Sequence, residues 1–151
     1  MLCRIIRSRR RTIAIIITAD AEVVVRAPHR MPEREIEKFV ASKQKWIEAC
    51  QKLPARCRAL SELTGYRPAR VRISAARTRW GSCSPAGSIS LNWRLAMAPQ
   101  AVIDYVIIHE LAHLAEMNHS ARFWRRVEQH VPDHRQHRRW LRQNGRLFSR
   151  W

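Results

Sequence analysis

The sequence predicts an α+β fold: a mixed or antiparallel sheet of about four strands packed on a buried, histidine-bearing helix, with further helices around it. Three observations carry that prediction. Two N-terminal runs, "RRTIAIIIT" and "AEVVVRAP", are rich in β-branched residues, which suit a pleated surface. Two central runs, "ARVRISAA" and "SISLNWR", alternate apolar and polar side chains as half-buried strands do. Finally, "AVIDYVIIHELAHLA" is apolar on nearly every face of a helix, the pattern of an element surrounded by protein.

The first two runs are separated by a short turn at Ala19 and Asp20, and together they form a hairpin ending at Pro28. From Pro32, the residues Ile36, Phe39, Val40, Ile47 and Cys50 recur at helical spacing, and Glu33 and Glu35 occupy the first turn, where they complement the helix dipole. This predicts one helix to about residue 51. Residues 53–68, with two prolines and Gly65, read as a connector that carries a short helix near residues 59–63. Pro85, Ala86 and Gly87 form the turn into an edge strand with Ile89, Leu91 and Trp93 on one face. All four strands are expected in one sheet.

Pro99 opens the buried helix over residues 101–115. Ser120 caps the next helix, which Pro132 ends. Asp133 with Gln136 three residues later resembles a capping box for a last helix that stops at Asn144 and Gly145.

A chain of 151 residues with 46% hydrophobic content suits one domain, residues 1–151, with its own core. The 29 Lys+Arg against 12 Asp+Glu give a formal net charge of +17, carried almost entirely by arginine. Such a potential attracts phosphate and acidic polymers, so non-specific nucleic-acid contact through an arginine-rich surface is one expectation. Cys3, Cys50, Cys57 and Cys83 show no CxxC pair, which predicts free thiols in a reducing compartment. No apolar run approaches the roughly 20 residues of a membrane helix, so the expected setting is the cytoplasm, with no membrane partner. Oligomeric state is not legible in the sequence.

The chemistry concentrates in "VIIHELAHLAEMNHS". His109 and His113 are four apart, so they project from one helix face and can share one metal ion. Glu110 is rotated away by about 100°, outside the ligand set yet near a metal-bound water, where a general base belongs. His119 would stand about 15 Å along an unbroken helix from His109, far too distant for zinc–nitrogen bonds of about 2.0–2.1 Å. The helix must therefore stop and return. Met117 and Asn118 suit that turn, since asparagine tolerates the left-handed conformation used at helix ends.

This makes His109, His113 and His119 the candidate metal ligands, with Glu116 or Glu128 as alternatives for the third place. Imidazoles with an open fourth position favour zinc over magnesium or calcium. Asp104 is the expected outer partner of the centre. A histidine pair on an apolar helix is often only hydrogen-bonded core, and here the third histidine favours a metal. His130, His134 and His137 are spaced four and three apart, but Pro132 interrupts any single helix through them, which argues against a second site. Cys83 reads as a buried thiol rather than a nucleophile. Phe123 and Trp124 read as core residues behind the metal. Trp80 to Cys83 either stabilise a hairpin or help an edge strand align an extended substrate.

The HExxHxxxxxH spacing is similar to that of metzincin proteases, with Glu116 where they have glycine. The segments "RSRRRTIAIIIT", "RTRWGSCSPAGSISLNWRL" and "VIIHELAHLAEMNHSARFWRRVEQHVPDHRQHRRWL" cover most of the chain and resemble the YgjP-like family, metal-dependent hydrolases with a zincin-type metallopeptidase domain. The resemblance implies a small zincin-like fold, a mixed sheet packed on the metal-bearing helix, with His109, His113 and His119 as ligands and Glu110 as base. It implies a peptide or a nucleotide as substrate.

Three functions compete. The first is zinc-dependent peptide hydrolysis with Glu110 as base. The second is a metal-dependent nucleoside triphosphate pyrophosphatase with arginines clamping phosphates. The third is a non-catalytic nucleic-acid-binding module with structural zinc, a site that normally takes four protein ligands.

Overall fold

A computed structural model describes residues 3–18 and 21–148, without the side chains of residues 147 and 148. The expected turn at Ala19 and Asp20 lies outside the described residues. The α+β class is borne out, but the strands form two mixed three-stranded sheets rather than one sheet of four. Each sheet belongs to one of two compact units, Met1–Gln51 and Lys52–Trp151.

In the first unit β1 (Cys3–Ser8), β2 (Ala14–Ile17) and β3 (Val23–Pro28) pair in the order β1-β3-β2, with β1 parallel and β2 antiparallel to β3. The hairpin pairing of β2 with β3 is as expected. β1 is an addition, because Arg4 and Arg7 around Ile5 and Ile6 conceal any alternation. Val23, Val25 and Ala27 share one face of β3 and bury against Ile36 and Val40 of α1 (Glu33–Ser42), with Ile47.

The helix expected to end near residue 51 is two helices. α1 stops at Lys43, and α2 runs on from Gln44 to Thr64 with Pro54 inside it. The expected connector is therefore mostly helical. Ile47, Cys50, Leu53, Cys57 and Leu60 are all buried at helical spacing. At roughly 1.5–3 kcal/mol for each fully buried aliphatic side chain, they outweigh the ~3 kcal/mol that a proline costs in a helix interior.

The second unit holds β4 (Arg70–Ser74), β5 (Gly81–Cys83) and β6 (Ser88–Asn92), in the order β4-β6-β5. β6 is central, parallel to β4 and antiparallel to β5. The edge strands are thus β4 and β5, and the run after Gly87, expected at the edge, is the central strand. The sequence of β5, Gly-Ser-Cys, has no β-branched residue and gave no strand signal. Trp93 leaves the strand for a single 3-10 segment, Trp93–Met97, whose first turn is capped by the Asn92 side chain accepting the Arg94 N–H at 3.1 Å.

α3 (Gln100–Ala112) begins just after Pro99 and buries Ile103, Ile107 and Leu111 completely. It packs against β5 and β6 and against α4 (Ala121–His130) and α5 (His134–Phe148). Ser120 caps α4 as expected, its Oγ accepting the Phe123 N–H at 3.4 Å. At the start of α5 it is the Asp133 carbonyl that accepts the Gln136 N–H at 3.0 Å, while the Asp133 carboxylate turns to His137 Nε2 at 3.1 Å. Asn144 and Gly145 do not end α5, because Gly145 stays helical and Asn144 Nδ2 donates back to the Trp140 carbonyl at 2.9 Å. No helix among the described residues is long and apolar enough to cross a membrane.

Candidate metal centre

The end of α3 builds the centre. Beyond Ala112 the N–H groups of Leu114, Ala115 and Glu116 turn back to the carbonyls of Leu111 and Ala112. His113 Nδ1 donates to the Glu116 carbonyl at 3.0 Å, which closes the turn and leaves Nε2 as the free lone pair. The left-handed residue expected at Asn118 is absent. Among the described residues Ala21 alone, at φ 62°, is a non-glycine with positive φ. The chain reverses through a broad turn held by His113 instead of a tight left-handed cap.

That reversal returns His119 to α3, with its Nε2 3.1 Å from His109 Nε2. Ligand atoms of His109, His113 and His119 all lie within 4.8 Å of one another, the single such group among the described residues. The spacing fits a metal ion. Zinc–nitrogen bonds of about 2.0–2.1 Å at tetrahedral angles place donors about 3.3 Å apart. Burial, then the charges of His113, His119, Arg138 and His134, pushes the His109 pKa down to about 3, which keeps the ring in its neutral, ligating form. Neither Glu116 nor Glu128 joins the group, and the Glu116 carboxylate lies 3.9 Å from Arg126 Nη2.

Aromatic rings back the histidines. Fully buried Phe123 stacks on His113 at 4.4 Å and meets His109 and His119 edge-on, each at 4.9 Å. Trp124 stacks on His119 at 5.9 Å and on His134 at 5.1 Å. Accordingly His134 serves as a ring contact, while His137 faces Asp133 and His130 meets Tyr66 edge-on.

The outer partner of His109 is Tyr105, not Asp104. Tyr105 Oη stands 3.3 Å from His109 Nδ1, and the tautomer that frees Nε2 donates from Nδ1 to that oxygen. Asp104 instead receives Arg56 at 2.7 and 2.8 Å and Gln100 at 2.9 Å. Helical geometry explains the difference. A residue four before His109 shares its face, whereas one five before lies about 140° around the helix. The spacing to Tyr105 was the signal that sequence reasoning passed over.

Glu110 is 7% exposed, and burial raises its pKa to about 7 despite the opposing charge of Arg79. It faces β5, where a Cβ on Gly81 would stand 3.0 Å from Glu110 Cγ and 3.1 Å from Oε1. Only a glycine lets the edge strand pass this close. Burial, followed by the charge of Glu110, raises the Cys83 pKa, so the thiol is held in its non-nucleophilic form. All four cysteines are unpaired.

No curated protein sequence matches the chain. Its structure is similar to the crystal structure of the metallopeptidase zymogen of Pyrococcus abyssi abylysin, with a TM-score of 0.53 and 26% sequence identity, over 60% of this chain and 93% of that one. A further match covers residues 11–53 and 48–144 and takes in β2 through β6, α3 and the three histidines, so the chain belongs to the family described as YgjP-like, metallopeptidase domain.

Proposed function

We propose that the chain is a zinc-dependent peptidase in which His109, His113 and His119 hold the metal and Glu110 is the general base. The observation that carries this is the convergence of three imidazoles within 4.8 Å beside a buried carboxylate on the same helix. When bound, zinc lowers the pKa of its water toward about 7 and polarises the scissile carbonyl. Glu110 takes the proton of the attacking water on a carboxylate oxygen and delivers it to the leaving amine. Gly81 keeps that carboxylate against β5, while Tyr105 and the Glu116 carbonyl orient two of the rings. The family match runs through both units, which supports treating residues 1–151 as one hydrolase domain. Four free thiols support a reducing compartment, the cytoplasm.

A second function, hydrolysis of a nucleoside triphosphate, is favoured by Arg138, whose guanidinium lies 4.6 Å from the centre of the Trp124 ring beside the histidines. A structural zinc in a nucleic-acid-binding module would call for a fourth protein ligand, and the group among the described residues has three. Any nucleic-acid contact of the basic surface should weaken steeply with salt.

The deciding experiment assays zinc-loaded protein in parallel on unstructured polypeptides and on nucleoside triphosphates, with Glu110→Gln as control. Peptide cleavage that disappears in the variant is the expected result. Triphosphate cleavage without peptide cleavage would replace the proposal with the second function. Neither activity, together with salt-sensitive nucleic-acid binding, would leave the third.

A further inference from the structure

Next to Glu110 the second unit carries a pocket of about 220 Å³ that the hydrolytic mechanism does not use. Its wall includes Arg77, Thr78, Arg79 and Trp80, together with Arg94 and Arg146, and no carboxylate of the described residues lines it. Arg77 and Arg79 are exposed on this wall. The wall is held in place by Asn92, which is 5% exposed. The Asn92 amide donates to the carbonyls of Ala76 and Arg79, its oxygen accepts the Arg94 N–H, and its own N–H reaches the Trp80 carbonyl at 2.8 Å. One buried side chain thus fixes both ends of the arginine-bearing loop.

The pocket also adjoins the hydrolytic carboxylate. Trp80 precedes Gly81, the residue that touches Glu110, and the charge of Arg79 acts on Glu110. The exposed guanidiniums of Arg77 and Arg79 on one concave wall are planar forks of the kind that match carboxylates bidentately. A single carboxylate would neutralise only part of that charge, so a substrate with adjacent carboxylates matches it better than a neutral one.

We propose that this pocket is the specificity subsite of the hydrolase and takes carboxylates of an acidic peptide, from acidic side chains or a free C-terminus, next to the scissile bond. The assignment rests on the peptidase function proposed above, and the test separates the two. Zinc-loaded Glu110→Gln protein is titrated calorimetrically with a matched set of peptides: one ending in consecutive glutamates with a free C-terminus, its C-terminal amide, its glutamine version, and the fully neutral peptide. The acidic peptide should bind at least 10-fold more tightly than the neutral one. Loss on amidation assigns the C-terminal carboxylate, and loss on Glu-to-Gln exchange assigns the side chains.

Adding Arg77→Gln or Arg79→Gln to that background should each weaken acidic-peptide binding by about 10-fold while leaving neutral-peptide affinity and zinc content unchanged. Arg122→Gln, an equal loss of charge outside the pocket, should retain the preference. Equal affinity for acidic and neutral peptides, or a preference that survives both pocket substitutions, overturns the subsite and leaves the peptidase proposal standing. Failure of every peptide to bind overturns both. A nucleoside triphosphate that displaces the acidic peptide at far lower concentration, with that advantage lost in Arg77→Gln, gives the pocket to phosphate instead.

Discussion

Gly81 on β5 and Glu110 on α3 are matched in shape, for a Cβ added at Gly81 would lie 3.0 Å from Glu110 Cγ. Glu110 is buried on its other sides and has little room to retreat. Gly81→Ala should therefore shift the carboxylate by a few tenths of an ångström and lower turnover by roughly 10- to 100-fold, as small misplacements of a reacting group do. Zinc content should stay at one per chain. Steady-state kinetics with metal analysis checks this, and unchanged turnover would show that Glu110 tolerates displacement.

Metal content tests the ligand set. His113→Ala and His119→Ala should each abolish stoichiometric zinc in protein purified without chelator, because each removes one of three imidazoles. Glu116→Ala and Glu128→Ala should retain it, since neither carboxylate joins the histidine group. Zinc lost from Glu116→Ala but kept in His119→Ala would reassign the third ligand.

Tyr105→Phe removes the oxygen 3.3 Å from His109 Nδ1 and leaves the ligands in place. Zinc should still bind, with affinity reduced about 10- to 100-fold, as for other outer-partner substitutions. Competition with a chromogenic chelator measures it.

The Asp104–Arg56 pair ties α2 to α3 and gives a pH dependence. Burial alone would raise the Asp104 pKa, but the hydrogen bonds from Arg56 and Gln100, with the charges of Arg56 and Lys52, hold it below its ordinary 3.8. The folded protein therefore binds this proton more weakly than the unfolded chain, so the stabilisation is complete above the ordinary value and is lost as pH falls through the depressed one. The pair is partly exposed, which limits it to about 1 kcal/mol. Asp104→Asn should lower the melting temperature at pH 7, and the gap from wild type should close as the pH falls below about 4. A gap that persists at acid pH would show that it does not arise from the charge.

Local spacing made much of the site legible. His109 and His113 had to share a helix face, Glu110 had to diverge from it, and His119 could rejoin them only after a chain reversal. The hydrophobic run over α3 likewise announced burial, and Ser120 announced the start of α4. Those properties depend on periods of three and four residues along one helix, which any sequence displays. By contrast, β1 and β5 were hidden because pairing was decided by the partner strand: β5 has no β-branched residue and exists as the edge of β6. Pro54 likewise suggested a break that burial on either side overrode.

The sequence by itself determined the residue types of the candidate centre and their order along α3, because helical periodicity converts spacing directly into direction. Only the tertiary structure decided that Tyr105 rather than Asp104 supports His109, that Gly81 makes room for Glu110, and that Asn92 holds an arginine-lined pocket beside it. Contacts between strand and helix depend on which segments meet in space, and residues as distant in the chain as Gly81 and Glu110 carry no local pattern that records the meeting.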